Sequence, residues 1–433
     1  MKKNNSIGVF TATAIVVANM IGAGIFTSLG FQLVDTVNTW SIAILWSLGA
    51  LMALCGAMSY AELGTHWKRS GGEYHFISKA FNPLLGYLSG WVSLTIGFSA
   101  PVALSAMAMG AYIGPYMEIP EIVLAIAAIL VISIIHSISL KRSSVLQNLT
   151  TTIKVVLILA FIVAGLTKSP ETSAFVLDVG WKNEILLPAF AVSFVYVTFS
   201  YSGWNAAAYI VDEIRDSRKN LPIALLLGTI VVSVLYLLLN FVFLYQNPLD
   251  AIRGELEIGQ ITAIAIFGLT GGKLISFAIA LMLISSVSAM VWAGPRVTQV
   301  MAEDHKLWRW FSKKTRNKIP LRAIWLQTAI TLILVFTGTF EQVLIYSGFV
   351  LQLFAAIAVL GVFVMRRKNG GVTNGYRSPL YPVPQLIFLL LSGWVLVYLF
   401  VAQPIESCLG LLNLLVGFVI YKFDKNVFRS SPG

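Results

Sequence analysis

The most informative stretch of this chain is Ser200-Tyr-Ser-Gly-Trp-Asn-Ala-Ala-Ala-Tyr-Ile-Val-Asp-Glu213, which interrupts a long apolar run with small, polar and helix-weakening residues. A second interruption, Gly22-Ala23-Gly24, lies in the middle of the first apolar run. A helix broken at membrane depth is costly, because its freed backbone groups find no water to bond. Paired breaks persist where loose backbone lines a cavity, and they indicate the substrate site of a secondary transporter.

The composition indicates an integral membrane protein made of helices. Hydrophobic residues form 57% of the chain and charged residues 11%, against about half and a quarter in soluble proteins. Twelve apolar stretches are long enough to cross a hydrocarbon core of about 30 Å. We number these spans 1 to 12; they cover residues 9–33, 37–62, 83–112, 121–139, 148–168, 185–212, 221–246, 273–301, 321–338, 341–365, 381–402 and 404–422. A shorter apolar piece, 257–270, is expected to be an external helix.

The distribution of positive charge predicts the orientation in the membrane. The net charge is +11, and 25 of the 30 Lys and Arg residues fall on one side if the spans alternate from a cytoplasmic N-terminus. This is the asymmetry of the positive-inside rule. We therefore expect the protein to lie in the inner membrane of the cell, with both termini in the cytoplasm. The same asymmetry argues against nucleic acid as a partner. The first apolar run is too long for a signal peptide and lacks a cleavage pattern.

The two interruptions predict an internal repeat. They lie in spans 1 and 6, five spans apart, so corresponding helices run in opposite directions, as in a five-plus-five inverted repeat. The repeats would cover about 8–168 and 185–365, with spans 11 and 12, about 381–422, outside them, in a single transmembrane domain over residues 1–433. The alternative is that these glycines only permit close helix packing. Two breaks at matching places favour the repeat.

The chemistry of the first break suits a free amino acid. The second half-helix would expose unpaired N–H groups near Ala23, Gly24 and Ile25, which favour a carboxylate. The first half-helix would end in unpaired carbonyls near Met20 and Ile21, which favour an ammonium group. Spans 1, 3, 6, 8 and 10 have no Asp or Glu at mid-depth, and an unpaired charge there is expensive. The expected ligand is therefore a neutral amino acid.

Several motifs together resemble the L-type amino-acid transporter branch of the amino acid–polyamine–organocation superfamily. Ile21-Gly22-Ala23-Gly24-Ile25-Phe26 is similar to its helix 1 motif, and Tyr60-Ala-Glu-Leu-Gly64 with Ser70-Gly-Gly-Glu-Tyr74 to its first cytoplasmic loop. Phe199-Ser-Tyr-Ser-Gly-Trp-Asn205, Asp212-Glu213 and Asn220-Leu-Pro222 are similar to helix 6 and its exit. The resemblance runs from about residue 8 to 325.

The resemblance implies a broken-helix five-plus-five fold and sodium-independent exchange of L-amino acids bound between helices 1 and 6. It implies carboxylate binding at Gly22, Ala23 and Gly24. It implies ammonium binding at the carbonyls of Ile21, Phe199 and Ser202, with Phe199 as a gate. Ala23 stands where the family usually has Ser, and Ser202 where it often has a second Gly. The loop after span 3, 113–120, lacks the cysteine that joins animal members to a heavy chain, so no such partner is expected.

Aromatic and polar residues around the second break allow two interpretations. Phe199 is expected to cover the substrate, although plain packing is the alternative. Trp204 and Tyr201 either line the site or fill space between helices. Tyr236 and Asn205 have family counterparts near the site, but a buried hydroxyl or amide seeks a partner anywhere.

Lys154 is the one intramembrane lysine. An intramembrane charge is by default a functional hypothesis, with snorkelling of its ammonium to the headgroups as the alternative. The family carries a lysine at the matching place in helix 5, which favours function. Sodium-driven relatives of this fold hold a cation between helices 1, 5 and 8. Here the Lys154 ammonium is expected to replace it, bonding helix 1 carbonyls near the break and a helix 8 hydroxyl such as Ser286.

Other function classes find little support in the sequence. There is no nucleophile–base pair, no phosphate-binding loop and no metal-ligand spacing among the four histidines, so we expect no enzyme, metal or cofactor. A channel filter loop is missing as well. A proton-coupled symporter on the same scaffold stays open, and it would need a titrating group near the site. Cys55 and Cys408 lie in apolar spans and are expected to be buried and free.

Charged residues outside the spans also allow two interpretations. Asp212, Glu213, Arg215 and the pair Lys68-Arg69 are either solvated faces or parts of a gate that closes by ion pairs. The basic loop 305–322, with Trp308, Trp310 and Lys313-Lys314, is expected to anchor on anionic membrane lipid.

Overall fold

The computed structural model of this chain is all-helical over the residues it describes, which are 7–138, 141–315, 319–368, 370 and 375–424, with backbone alone for 141–147. An isolated bridge between Ile7 and Ile214 is the only β-pairing in these ranges. The α-helices are α1 Val9–Met20, α2 Gly24–Gln32, α3 Thr39–His66, α4 Glu73–Ala80, α5 Pro83–Val92, α6 Ser99–Met117, α7 Glu121–Ile138, α8 Lys141–Thr167, α9 Trp181–Glu184, α10 Pro188–Tyr201, α11 Ser217–Gln246, α12 Leu249–Ile252, α13 Ile258–Asp304, α14 Leu321–Thr337, α15 Phe340–Lys368, α16 Val383–Ala402 and α17 Pro404–Phe423.

Three short segments are wound differently from the α-helices. A π-helical turn, Ser93–Gly97, joins α5 to α6 and bends span 3. A 3-10 helix, Ala206–Glu213, follows α10, and a second one covers Arg309–Ser312. The apolar piece expected near 257–270 is the first part of α13, which turns at Gly268 with φ 74°. A positive φ is accessible to glycine without strain, so this residue allows the chain to change direction there.

Ten helical stretches in the described residues are long and apolar enough to cross a membrane. Two of the twelve predicted spans fall short of that length. Span 6 is divided by its break, so α10 has 14 residues, and α14 has 17 residues, against about 20 for a full crossing. The count of twelve therefore stays a prediction, as do the inverted repeat and the domain limits.

The broken span 1 lies at the centre of the helix packing. α1 packs on α8, α11 and α13, and α2 packs on α10. α16 and α17 lie at the edge, and α17 exposes most of its apolar side chains, as a lipid-facing helix does. The prediction of a buried Cys408 is wrong for this reason: Cys55 on α3 is buried, whereas Cys408 on α17 is exposed. Both thiols are free.

Some predictions depend on residues that the structure does not describe. The two ends of the chain, 1–6 and 425–433, lie outside the described residues, and the cytoplasmic location of the termini stays a prediction. Residues 316–318 of the basic loop lie outside them as well. Within the described part of this loop, Trp310 is exposed and the guanidinium of Arg322 lies 4.2 Å from the centre of its ring.

Candidate functional site

The first break, Ile21–Ala23, separates α1 from α2 as predicted. The Gly22 amide donates to the Met20 carbonyl over 2.8 Å, which tightens the end of α1. The amides of Ala23, Gly24 and Ile25 open α2, and like the first N–H groups of any helix they lack an acceptor in a preceding turn. No other acceptor takes them within the described residues. Such a group of unpaired amides suits a carboxylate.

The second break, Ser202–Asn205, separates α10 from the 3-10 helix. Gly203 has φ 97°, and a Cβ built on it would lie 2.7 Å from the carbonyl carbon and oxygen of Asn19. A larger residue would strike the backbone of α1, so Gly203 allows the two broken spans to touch. Ser202 donates its amide to the Phe199 carbonyl over 2.9 Å.

A cavity of about 90 Å³ opens beside the second break. Of the predicted binding residues, Phe199, Ser202 and Trp204 line it, and so does Asn205, which was expected near the site in a coupling role. The opposite walls come from the π-turn and the start of α6, and from α15: Ser93, Gly97, Phe98 and Pro101, then Gly348, Leu351, Gln352 and Ala355. Ile21, Gly22, Ala23 and Gly24 do not line this cavity. Gly22 is half-buried, and its three neighbours are buried.

The aromatic residues of the second break divide between the cavity and the packing. Trp204 lines the cavity and also packs edge-on against Tyr60, with ring centres 4.7 Å apart. Tyr201 is buried away from the cavity, where its hydroxyl donates to the Trp46 carbonyl over 3.1 Å. The space-filling interpretation therefore describes Tyr201, while Trp204 serves both purposes.

Tyr236 joins the two broken spans. Its hydroxyl, buried on α11, lies 2.6 Å from the Met20 carbonyl at the end of α1 and 3.1 Å from the Ser200 carbonyl near the end of α10. One hydroxyl thus holds carbonyls that the breaks leave without intrahelical partners. In this structure the Met20 carbonyl is already occupied by Tyr236 and Gly22.

Lys154 lies fully buried on α8 and contacts the first break. Its ammonium donates to the Ile21 carbonyl and to the Ser286 hydroxyl, each over 2.8 Å. The Ser286 hydroxyl, on α13, also donates to the Ile21 carbonyl over 2.7 Å. The contacts predicted for Lys154 are therefore present, and the ammonium does not snorkel to the headgroups. The Ile21 carbonyl has two donors for its two lone pairs, so it is not free here for a substrate ammonium.

Gly24 packs closely against α10. A Cβ at Gly24 would lie 2.5 Å from the Ser200 hydroxyl and 2.7 Å from the Ser200 Cα. The missing side chain makes room for α10. At Gly22, by contrast, the nearest atom to a built Cβ is 3.8 Å away. Gly22 is the glycine of the first break with space beside it.

Charged residues on the side of the 3-10 helix form ion pairs. Arg69 pairs with Asp304 over 2.9 Å, and Arg296 pairs with Glu213 over 2.8 Å. Asp212 accepts the Ser70 amide. These contacts tie the loop before α4 to the end of α13 and α13 to the 3-10 helix, so Arg69 and Glu213 are parts of ion pairs. Lys68, Asp212 and Arg215 are exposed, as the solvated-face interpretation predicts.

Glu73 lines the cavity, and the site predicted from the sequence did not include it. It lies outside the apolar spans, in the Gly-Gly-Glu-Tyr motif, and so the sequence does not predict it at mid-depth. The backbone explains its position: Gly72 has φ 53°, and a Cβ there would lie 2.4 Å from the Tyr209 ring. The turn at Gly72 thus brings Glu73 beneath the second break.

The family of this chain follows from comparison with known proteins. The model of a family described as amino acid permease matches residues 7–420. The chain belongs to the amino acid permease family. It is a multi-pass membrane transporter and not an enzyme, and it is similar to the L-type branch of the superfamily.

Three relatives cover nearly the whole chain. The serine/threonine exchanger SteT of Bacillus subtilis (strain 168) is 28% identical over 428 residues, which cover 96% of this chain and 95% of the relative. The b(0,+)-type amino acid transporter 1 of Homo sapiens is 27% identical, over 96% of this chain and 87% of the relative. The cystine/glutamate transporter of Homo sapiens is 28% identical, over 94% and 83%. Amino-acid transport is common to the three names.

Proposed function

We propose that this permease is a sodium-independent exchanger of neutral L-amino acids that works by alternating access. The amino acid binds between the two breaks, with its carboxylate beside Gly22 on the unpaired amides of Ala23 and Gly24, and its ammonium on the carbonyls of Phe199 and Ser202. Phe199 covers it. The names of the relatives support the substrate class, and that of SteT supports exchange.

The observation that best supports independence from sodium is the position of Lys154. Its ammonium lies between the end of α1, its own helix α8 and Ser286 of α13. These are spans 1, 5 and 8, between which the resemblance places a cation in sodium-driven relatives. A fixed ammonium there supplies the positive charge that a bound ion would otherwise bring.

The remaining parts of the proposal concern the whole molecule. The twelve spans form a five-plus-five inverted repeat followed by two peripheral helices. The protein lies in the inner membrane with both termini in the cytoplasm, where the basic loop contacts anionic lipid. It works as a single polypeptide, without a heavy chain.

Transport by the purified chain in liposomes tests the proposal. A thermal-shift screen of the twenty amino acids selects the substrate, and uptake of that labelled substrate is compared between preloaded and empty vesicles, with sodium or choline outside. We expect uptake only into preloaded vesicles and no effect of sodium. Uptake into empty vesicles driven by a pH gradient would instead support the proton-coupled symporter. Strict dependence on sodium would refute both.

A further inference from the structure

Glu73 is a buried carboxylate at the wall of the transport cavity. It is 4% exposed and lines the same cavity as Ser202 and Trp204. That cavity has room for several water molecules, so a solute in it reaches the carboxylate. α4, which begins at Glu73, lies on the side that the charge distribution assigns to the cytoplasm.

The partners of Glu73 are neutral. The Tyr60 hydroxyl donates to its Oε1 over 2.6 Å, and the Asn205 amide nitrogen donates to the same oxygen over 3.0 Å. The Tyr209 hydroxyl completes the group. Burial raises the pKa of Glu73, and hydrogen bonds from Tyr60, Tyr209 and Asn205 oppose that rise.

Among the described residues, this carboxylate lacks a cationic partner. None of the ion pairs in the described part of the chain includes Glu73. Glu62, the other fully buried acid nearby, shows the contrast, since Arg366 binds both of its oxygens over 2.7 and 2.8 Å. A buried charge without a partner is expensive, so Glu73 needs a positive group from the cavity.

A proton and an ammonium group are the two available positive groups. The hydrogen bonds favour the ammonium. An amide nitrogen can only donate, and Asn205 directs its nitrogen at the oxygen that Tyr60 also contacts. The short distance from Tyr60 is typical of a hydroxyl donating to an ionised carboxylate. The three neutral donors therefore stabilise the charged form of Glu73 when a positive group in the cavity balances it.

We propose that Glu73 is a substrate-binding residue on the cytoplasmic half of the transport path, where its carboxylate pairs with the ammonium group of the amino acid. The substrate meets it after leaving the second break, or before reaching the break from the cytoplasm. Asn205 and Tyr60 are positioning residues that hold the carboxylate toward the cavity. This inference rests on the proposed function. It identifies the residue that contacts the substrate ammonium on the cytoplasmic side.

The test compares substrate binding from the two sides of the membrane. Wild type and Glu73→Gln are reconstituted in liposomes, and protease access to a tag on the N-terminus gives the orientation. The half-saturating concentration of the selected neutral amino acid is measured on each side. We expect the ratio of the cytoplasmic to the external value to rise about tenfold in Glu73→Gln, the fold-change for losing about 1.4 kcal/mol of binding.

Two further variants make the outcome decisive. Glu171→Gln removes one carboxylate from the exposed surface, and its ratio should equal that of wild type. Glu73→Asp keeps the charge but retracts it, and its ratio should lie between those of wild type and Glu73→Gln; it decides the question if Glu73→Gln fails to fold.

A wild-type ratio in well-folded Glu73 variants would overturn the inference. So would an unchanged ratio together with loss of the pH dependence of exchange, which would make Glu73 a proton site. A wild type that exchanges no amino acid would refute the proposed function itself.

Discussion

The ammonium of Lys154 lies 2.8 Å from the carbonyl oxygen of Ile21, at the point where α1 stops being helical. Ser286 shares that carbonyl over 2.7 Å, so three separate helices meet at a single oxygen. Helix ends leave carbonyls unpaired, and here a charged donor from a neighbouring helix satisfies one of them. The broken span is thereby fixed to α8 and α13, and any movement of α1 has to break or carry these contacts.

The first prediction concerns this contact. Lys154→Ala should fold and reach the membrane, because alanine removes the buried charge together with its partnered donor. It should exchange amino acids at no more than about a tenth of the wild-type rate, since loss of a charged hydrogen bond is worth roughly 1.5–3 kcal/mol. We expect the variant to change the equilibrium between inward-facing and outward-facing states more than it changes the contacts with the substrate. The exchange rate in liposomes, normalised to folded protein, measures this.

A lysine just after the end of α8 provides the control for Lys154. Lys168 donates to the carbonyls of Ala265 and Ile266, far along the chain from either break. Lys168→Ala should exchange at close to the wild-type rate. Equal exchange rates in wild type and Lys154→Ala would show that Lys154 has a purely structural role.

Much of the architecture was predictable because membrane helices need long apolar runs, and because glycine and polar residues within them weaken the helix. Both breaks follow from this pattern, whereas the partners of Lys154 were expected only from the family resemblance. The exposure of Cys408 was not predictable, because the composition of an apolar span does not show whether a side chain faces lipid or protein. The position of Glu73 was not predicted for a related reason. It depends on the turn at Gly72, and the hydropathy pattern does not predict the geometry of a turn outside the spans.

The second prediction separates the two glycines of the first break. Gly24→Ala places a methyl group against Ser200 of α10, so it should lower the melting temperature and the yield of folded protein. Gly22→Ala finds no atom nearer than 3.8 Å, so it should fold normally and weaken substrate binding by obstructing the free amides. Thermal unfolding and substrate-induced thermal shift measure the two effects. Normal stability of Gly24→Ala, or normal binding by Gly22→Ala, would contradict the respective role.

The third prediction concerns the ligand groups that the breaks recognise. An amino-acid amide lacks the carboxylate that the amides of Ala23, Gly24 and Ile25 suit, and an N-acetyl amino acid lacks the ammonium. Each analogue should therefore compete at least about 100-fold more weakly than the parent amino acid, a difference of about 2.8 kcal/mol. Competition against labelled substrate in liposomes measures this. An amide as potent as the parent would refute the carboxylate assignment at the first break.

The fourth prediction concerns stability at acid pH and rests on His75 of α4. Burial, with help from the charges of Arg69 and Lys79, lowers the pKa of His75 to about 3. The unfolded chain binds a proton at His75 below its ordinary pKa of 6.5, whereas the folded chain does not until far lower pH. The stability contribution is therefore complete above pH 6.5 and falls by about 1.4 kcal/mol for each pH unit below it.

Melting curves of the detergent-purified protein at about pH 7.5 and about pH 5.5 test this prediction for His75. The wild-type melting temperature should fall on acidification, and His75→Gln should lose part of that fall because glutamine does not titrate. Lys79→Gln is the matched control: it removes one nearby charge, but the folded pKa of His75 stays well below about pH 5.5, so this variant should show the same fall as wild type. The same acid dependence in wild type and His75→Gln would show that His75 is not the group that titrates.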